Sequence, residues 1–283
     1  MRVIFSRKGF DSAYGKVPSP ILPDGRMISL PIPDKDAPTT YGAIQRDGLN
    51  IGDLVADLTS GTTPHEYRAH LDPDLAPEAI PRLAGWRPIF GQSGAALGHL
   101  RKQNVAPGDL FLFFGWFRQA QLVSDKWRYV RGCKDVHALW GWMRIGSIYA
   151  CQSLPDDVAR WAAGHPHLSG PRPGDDDVII AADELVVAGR RLRGAGIFTA
   201  RAERTLTLAG ATRSIWRMPA WMGPEGGVTS LSCHSDRDRW SPLDAETCRL
   251  SSVSIGQEFV LSTMRSDLLD AWLAVVFADV PAT

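Results

Sequence analysis

The stretch PGDLFLFFGWFR (107–118), answered by VHALWGWMRIGSIYAC (136–151), decides the fold. Both runs are apolar at consecutive positions and dense in aromatic rings. A strand with one wet face alternates apolar and polar side chains, so these two must be covered on both faces. Neither holds an uninterrupted apolar run near the roughly 18 residues of a membrane span. We expect two buried strands. The polar connection QAQLVSDKWRYVRGCKD (119–135) should hold a turn or an excursion between them.

Outward from this pair, RVIFS (2–6) reads as a short apolar strand that runs into a polar cluster, and RMISLPIPDK (26–35), broken by prolines, as an edge strand or extended arm. TPHEYRAHLDPDL (63–75) suits a short helix that stops before Asp72-Pro73, because the residue before proline avoids helical angles. SGAALGHLRKQNV (93–105) suits another, ending at Asn104. PDDVARWAAGHPHL (155–168) opens like a helix and should stop near Gly164. PRPGDDD (171–177) is a loop and DVIIAADELVV (177–187) a strand. GAGIFTAR, RTLTLAG and SIWRMP are short β pieces, while DAETCRL and GQEFVLS are ambiguous. RSDLLDAWLAVVFA (265–278) closes as an amphipathic helix with Leu268, Leu269, Trp272, Val275 and Val276 on one face. No repeat, low-complexity tract or linker divides the chain. The expectation is one α+β domain over residues 1–283: a curved, mostly antiparallel sheet or partial barrel with peripheral helices.

The 283 residues carry 31 basic and 31 acidic side chains, so nonspecific coating of nucleic acid is excluded while a local basic patch is not. No membrane span is read. MRVIFSRKGF has no apolar segment of a signal peptide, and the four cysteines are scattered without a CxxC pair, so a cytoplasmic protein is expected. Ten tryptophans are enough to build a core and also to line a pocket for a flat ligand.

Five clusters could carry chemistry. FSRKGFDSAYGKVPSPI (5–21) offers Arg7 and Lys8 for a phosphate or carboxylate, Asp11 as acid, base or metal ligand, and Ser12 as a hydrogen-bonding hydroxyl; solvated charges on a turn are the plain alternative. HLDPDL (70–75) spaces His70, Asp72 and Asp74 at alternating positions. In an extended segment they would share a face and could coordinate a divalent metal; otherwise they are a surface turn. GHPHL (164–168) sets His165 and His167 about a proline, either as acid–base groups or as a helix end. In LSCHSDRDRW (231–240), adjacent Cys233 and His234 should face opposite ways, which removes a thiol–imidazole pair and leaves His234 beside Ser232. GQEFV (256–260) adds Gln257 and Glu258 at the start of an apolar run. Among the rings, Trp116 and Trp142 each follow a glycine, which leaves room for a planar base, with Arg118 close by; core packing is the alternative.

Taken in order, FSRKGFDSAYGKVPSPI, SLPIPDK, HLDPDL, FGQSGAALGHL, GDLFLFFGWFR, HPHL, GAGIF, LSCH with a following RW, and GQEFV resemble the nucleotide modification associated domain 3 family, from residue 1 to about 262. Cys233 stands where the family pattern has an aromatic residue. The resemblance implies a bacterial or phage protein linked to DNA base modification or phage defence; it implies no particular reaction. NVAPGDLFLFFGW and LWGWMRIGSIY (residues 104–150) also look like the paired strands of PUA-like barrels, which include readers of modified bases.

Two functions follow as expectations. In the first, an enzyme acts on a nucleotide or DNA base as a transferase or hydrolase. Asp11, His165, His167 and His234 would move protons. Arg7, Lys8, Ser12, Trp116, Arg118, Trp142, Gln257 and Glu258 would bind substrate, and His70, Asp72 and Asp74 would hold a divalent metal. In the second, a non-catalytic reader takes a modified, flipped base into an aromatic cage and needs no histidines.

Overall fold

The computed structural model describes residues 1–169, 175–224, 229–253 and 256–283. Residues 170–174, within which the predicted loop begins, lie outside that description. Ten strands build the main sheet: β1 (Val3–Arg7), β2 (Ser19–Ile21), β3 (Ile89–Gln92), β4 (Leu110–Val123), β5 (Lys126–Tyr129), β6 (Val136–Ala150), β7 (Asp177–Ala181), β8 (Ala195–Ile197), β9 (Thr229–Leu231) and β10 (Glu258–Thr263). The order is β9-β10-β1-β4-β6-β7-β3, with β2 and β5 also on β4 and β8 on β6. β1 and β2 run parallel to β4; the other pairings are antiparallel. The order is open at both ends, so among the described residues no closed barrel forms, around residues 104–150 or elsewhere. Among the described residues four α-helices accompany this sheet-dominated α/β arrangement: α1 (Ile51–Leu58), α2 (Gly94–Lys102), α3 (Asp156–Ala162) and α4 (Ser266–Val276). None is long and apolar enough to cross a membrane.

The two long strands are buried on both faces. Leu110, Leu112 and Phe114 join Val3, Phe5 and Leu139 in one core under α4, while Phe111 and Phe113 join Ile4, Phe90 and Val260 in the other. Trp140 and Trp142 are two residues apart yet occupy opposite cores. The pairing of β6 with β4 slips between Leu139 and Gly141, and the extra residue reverses the alternation. The polar connection is the predicted excursion. Ser124 and Asp125 turn the chain at φ 50° and 60°, and β5 pairs back on β4.

Several expectations change. Residues 63–75 form no helix: Arg68–His70 is a strand that pairs with Ile32–Pro33 and Thr39–Thr40, burying Ala69 between exposed Arg68 and half-buried His70. Neighbouring strands supplied hydrogen-bond partners that local propensity does not register. DVIIAADELVV divides at Ala182-Asp183, and Glu184–Val187 forms its own hairpin with Arg190–Arg193. RTLTLAG contributes isolated bridges at Thr205 and Thr207 only. The ambiguous DAETCRL and GQEFVLS run into strands Thr247–Ser251 and β10, each of which extends one residue further. On α4 the buried stripe is Leu269, Leu273 and Val276, with Val275 exposed.

The sheet curls enough for its far strand to meet its near one. Phe90 on β3 packs edge-on against Phe111 and Phe113 of β4, at 5.1 and 5.4 Å between ring centres. One residue pair beyond, Gln92 Nε2 donates to Glu258 Oε1 of β10 at 2.5 Å. The end of β1, the end of β3 and the start of β10 therefore gather at one edge.

Candidate functional site

A cleft of about 230 Å³ opens at that edge. Its walls are the loop after β1 (Arg7 to Tyr14), the end of β3 with the entry to α2 (Gly91 to Ser93), Gln257, and the imidazoles and carboxylate of His70, Asp72 and His167.

Asp72 is the hub, with its side chain only 4% exposed. Its Oδ1 accepts the Gly91 N–H at 2.8 Å and faces His165 Nε2 at 3.2 Å. Because the backbone N–H of His167 donates to His165 Nδ1 at 3.3 Å, that ring carries its proton on Nε2 and gives it to Asp72. Oδ2 faces two more rings, His70 Nε2 at 3.9 Å and His167 Nε2 at 3.7 Å. Each of these two rings is held from behind by a second carboxylate: His70 Nδ1 by Asp34 and His167 Nδ1 by Asp176, both at 2.8 Å. Burial alone would raise the Asp72 carboxyl, but the His165 hydrogen bond and the three nearby imidazoles outweigh it and hold Asp72 well below the usual carboxylate range. Burial lowers His167 below the ordinary imidazole value, against the pull of Asp72. His70, Asp72 and His167 each present one ligand atom, all within 4.8 Å of one another, and this is the set that could hold a metal.

The elements explain the placement. His70 ends a strand and Asp72 follows in the turn, so the alternation expected for HLDPDL does bring these two together. Asp74 leaves the set: both its oxygens accept from Arg82, at 2.6 Å each. His165 and His167 lie just past α3 and are 2% and 6% exposed.

The other predicted residues divide. Arg7, Lys8, Asp11 and Gln257 line the cleft. Arg7 Nη2 donates to Gly256 O, and burial lowers its pKa with Asp11 opposing. Asp11 Oδ1 accepts the N–H groups of Ala13 and Tyr14, both at 2.7 Å, so it organises the loop. Lys8 turns its ammonium inward to Glu258, at 3.2 Å. Glu258 is buried behind the cleft: Oε1 also accepts from Ser6 and Gln92, and among the described residues Oε2 has no hydrogen-bond partner. Ser12 accepts from Arg213, whose guanidinium covers the Trp116 ring at 4.1 Å. Arg118 pairs with Asp135 on a separate open surface.

Trp142 packs against Phe198 and Phe277 and borders a different groove of about 650 Å³. His234 lies in the core against Phe259, its Nε2 accepting from Val253 N, while Cys233 beside it is exposed. His234 therefore does not reach the cleft, nor do the two tryptophans.

Asp34, Gly91, Gln92, Asp176 and Tyr14 belong to the site and were not singled out in the sequence. Asp34 sits in SLPIPDK, and Gly91 and Gln92 in FGQSGAALGHL, so the pieces carrying the family resemblance contained them. Asp176 is one of three consecutive aspartates with nothing local to distinguish it.

Fold and cleft together define a sheet-dominated α/β protein with a buried histidine–carboxylate cluster beside a basic loop. The chain belongs to the nucleotide modification associated domain 3 family, whose model matches residues 2–262. No curated protein and no solved structure is significantly similar to it.

Proposed function

We propose that the protein is an enzyme of nucleotide modification and that the cleft at Asp72 is its active site, acting on a nucleotide or a base of DNA. The observation that supports this best is the convergence of His70, His165 and His167 on one buried carboxylate. Grouping so many ionisable side chains away from water costs stability, and such groups concentrate where chemistry needs them. Arg7 and the Gln257 amide at the rim suit a phosphate, and Tyr14 at the mouth suits stacking on a base. Asp11 and His165 are the candidate proton carriers of the reaction, His165 acting through Asp72, while His167 serves at the centre of the cluster. The protein would serve DNA modification or phage defence.

The reader alternative draws less support, because its cage was to be built from Trp116 and Trp142. Arg213 covers the first ring, and the second, 4% exposed, borders a different groove, so the two do not form one cage.

Titration of the protein with nucleoside monophosphates and short DNA, beside mass spectrometry of the bases after incubation in cell extract, tests the proposal. Binding that Arg7→Ala weakens, with base conversion lost in His167→Ala, is expected. Binding retained in folded His165→Ala and His167→Ala, with no base altered by the wild type, would establish a reader instead.

A further inference from the structure

We propose that Nε2 of His70, Oδ2 of Asp72 and Nε2 of His167 together hold one divalent transition-metal ion, the metal centre of the enzyme proposed above. The hydrogen bonds behind the rings lead to this. Carboxylates only accept, so in neutral rings Asp34 and Asp176 fix the protons of His70 and His167 on Nδ1. Both Nε2 atoms then point lone pairs toward Asp72. Asp72 uses Oδ1 for Gly91 and His165, and among the described residues no hydrogen bond reaches its Oδ2. Three electron-pair donors thus lie within 4.8 Å of one another with no proton between them. Left alone they repel; a cation at their centre turns the repulsion into three bonds.

Charge points the same way. Asp72 and Asp176 are 4% and 7% exposed, and among the described residues only imidazoles pair with them. Two negative charges with neutral rings call for a dication. Two of the three separations are near what an ion needs: donors on a tetrahedral ion with bonds of about 2.1 Å stand roughly 3.4 Å apart, against 3.7 and 3.9 Å from Oδ2 to the two rings, and the third pair stays within 4.8 Å. Two imidazoles and one carboxylate select a first-row transition metal such as iron or zinc over magnesium or calcium, which take oxygen sets. Carboxylates behind the ligating imidazoles are the usual outer support of such a centre. Because all three ligands line the cleft, the coordination positions left open face the space where Arg7 and Gln92 lie, and a water or a substrate atom would fill them.

Metal uptake by the full chain decides this. After chelator treatment it should bind about one equivalent of Co(II), read by visible absorption, or of Zn(II), and ignore Mg(II). His70→Ala and His167→Ala should lose uptake. Asp34→Asn should keep the fold and weaken affinity about 10- to 100-fold, while Asp74→Asn should bind normally per folded molecule. No Co(II) or Zn(II) uptake by the wild type, or wild-type uptake by folded His70→Ala and His167→Ala, overturns the proposal. If those two variants fail to fold, unchanged affinity in Asp34→Asn overturns it. Metal uptake without nucleotide binding would sink the nucleotide enzyme and leave the metal centre; nucleotide binding and turnover without uptake would do the reverse.

Discussion

A Cβ atom on Gly91 would stand 2.1 Å from Cδ2 of His167. The His167 side chain packs directly on the glycine backbone, and the same glycine gives its N–H to Asp72. Gly91 is thus a floor that lets ring and carboxylate approach the strand. Gly91→Ala forces either β3 or the ring to move. Overpacking of this kind costs about 1–3 kcal/mol, and denaturant unfolding should show it. Folded Gly91→Ala should also bind Co(II) more weakly than the wild type; equal stability and equal affinity would contradict the contact.

Lys8 and Glu258 form an ion pair that is 10% and 1% exposed. Removing one partner strands the other charge in the core, so Lys8→Ala should lose about 3–5 kcal/mol. Adding Glu258→Gln should recover part of the loss, because an amide is cheaper to bury than a lone carboxylate. Arg7→Ala, whose cation lies at the cleft rim, should cost less stability and more nucleotide affinity. Thermal melts of the three variants separate these outcomes.

The pH dependence of stability should carry the mark of two core histidines. Burial, with Arg213 and Arg7 nearby, holds His137 down at about 3, and burial holds His234 down at about 4. The unfolded chain takes up those protons near pH 6.5. Both groups therefore contribute stability that is present above pH 6.5 and lost as pH falls toward 4 and below. The slope should approach 1.4 kcal/mol per pH unit for each histidine, to about that order. Urea titrations between pH 7 and 4 should show a slope that His137→Gln reduces; an unchanged slope would mean that His137 titrates normally.

Asp74 and Arg82 make a two-pronged ion pair beside the site, at 6% and 14% side-chain exposure. Asp74→Ala should lose about 3 kcal/mol or more. Metal uptake per folded molecule should not change. Loss of uptake at native stability would return Asp74 to the ligand set.

The sequence by itself determined the two central strands, because runs such as LFLFF and ALWGWM admit no exposed face. It also determined which residue types could do chemistry, and in HLDPDL it set His70 and Asp72 two apart, the spacing that one side of an extended chain requires. Tertiary structure decided the rest. Asp74 shares that spacing but met Arg82. His234 looked as available as His167 but was enclosed by Phe259. Trp142 fell into the opposite core from Trp140 because one slipped register reversed the alternation. Asp34, Asp72 and Asp176 are far apart in the chain; the pairing of Ile32–Pro33 with Arg68–His70 sets Asp34 behind His70, and the pairing of β7 with β3 brings Asp176 next to the strand whose Gly91 holds Asp72. Local pattern specifies which face a side chain takes on its own element. Which charge or ring waits on the other side depends on pairings between distant strands, and no short stretch of sequence contains both partners.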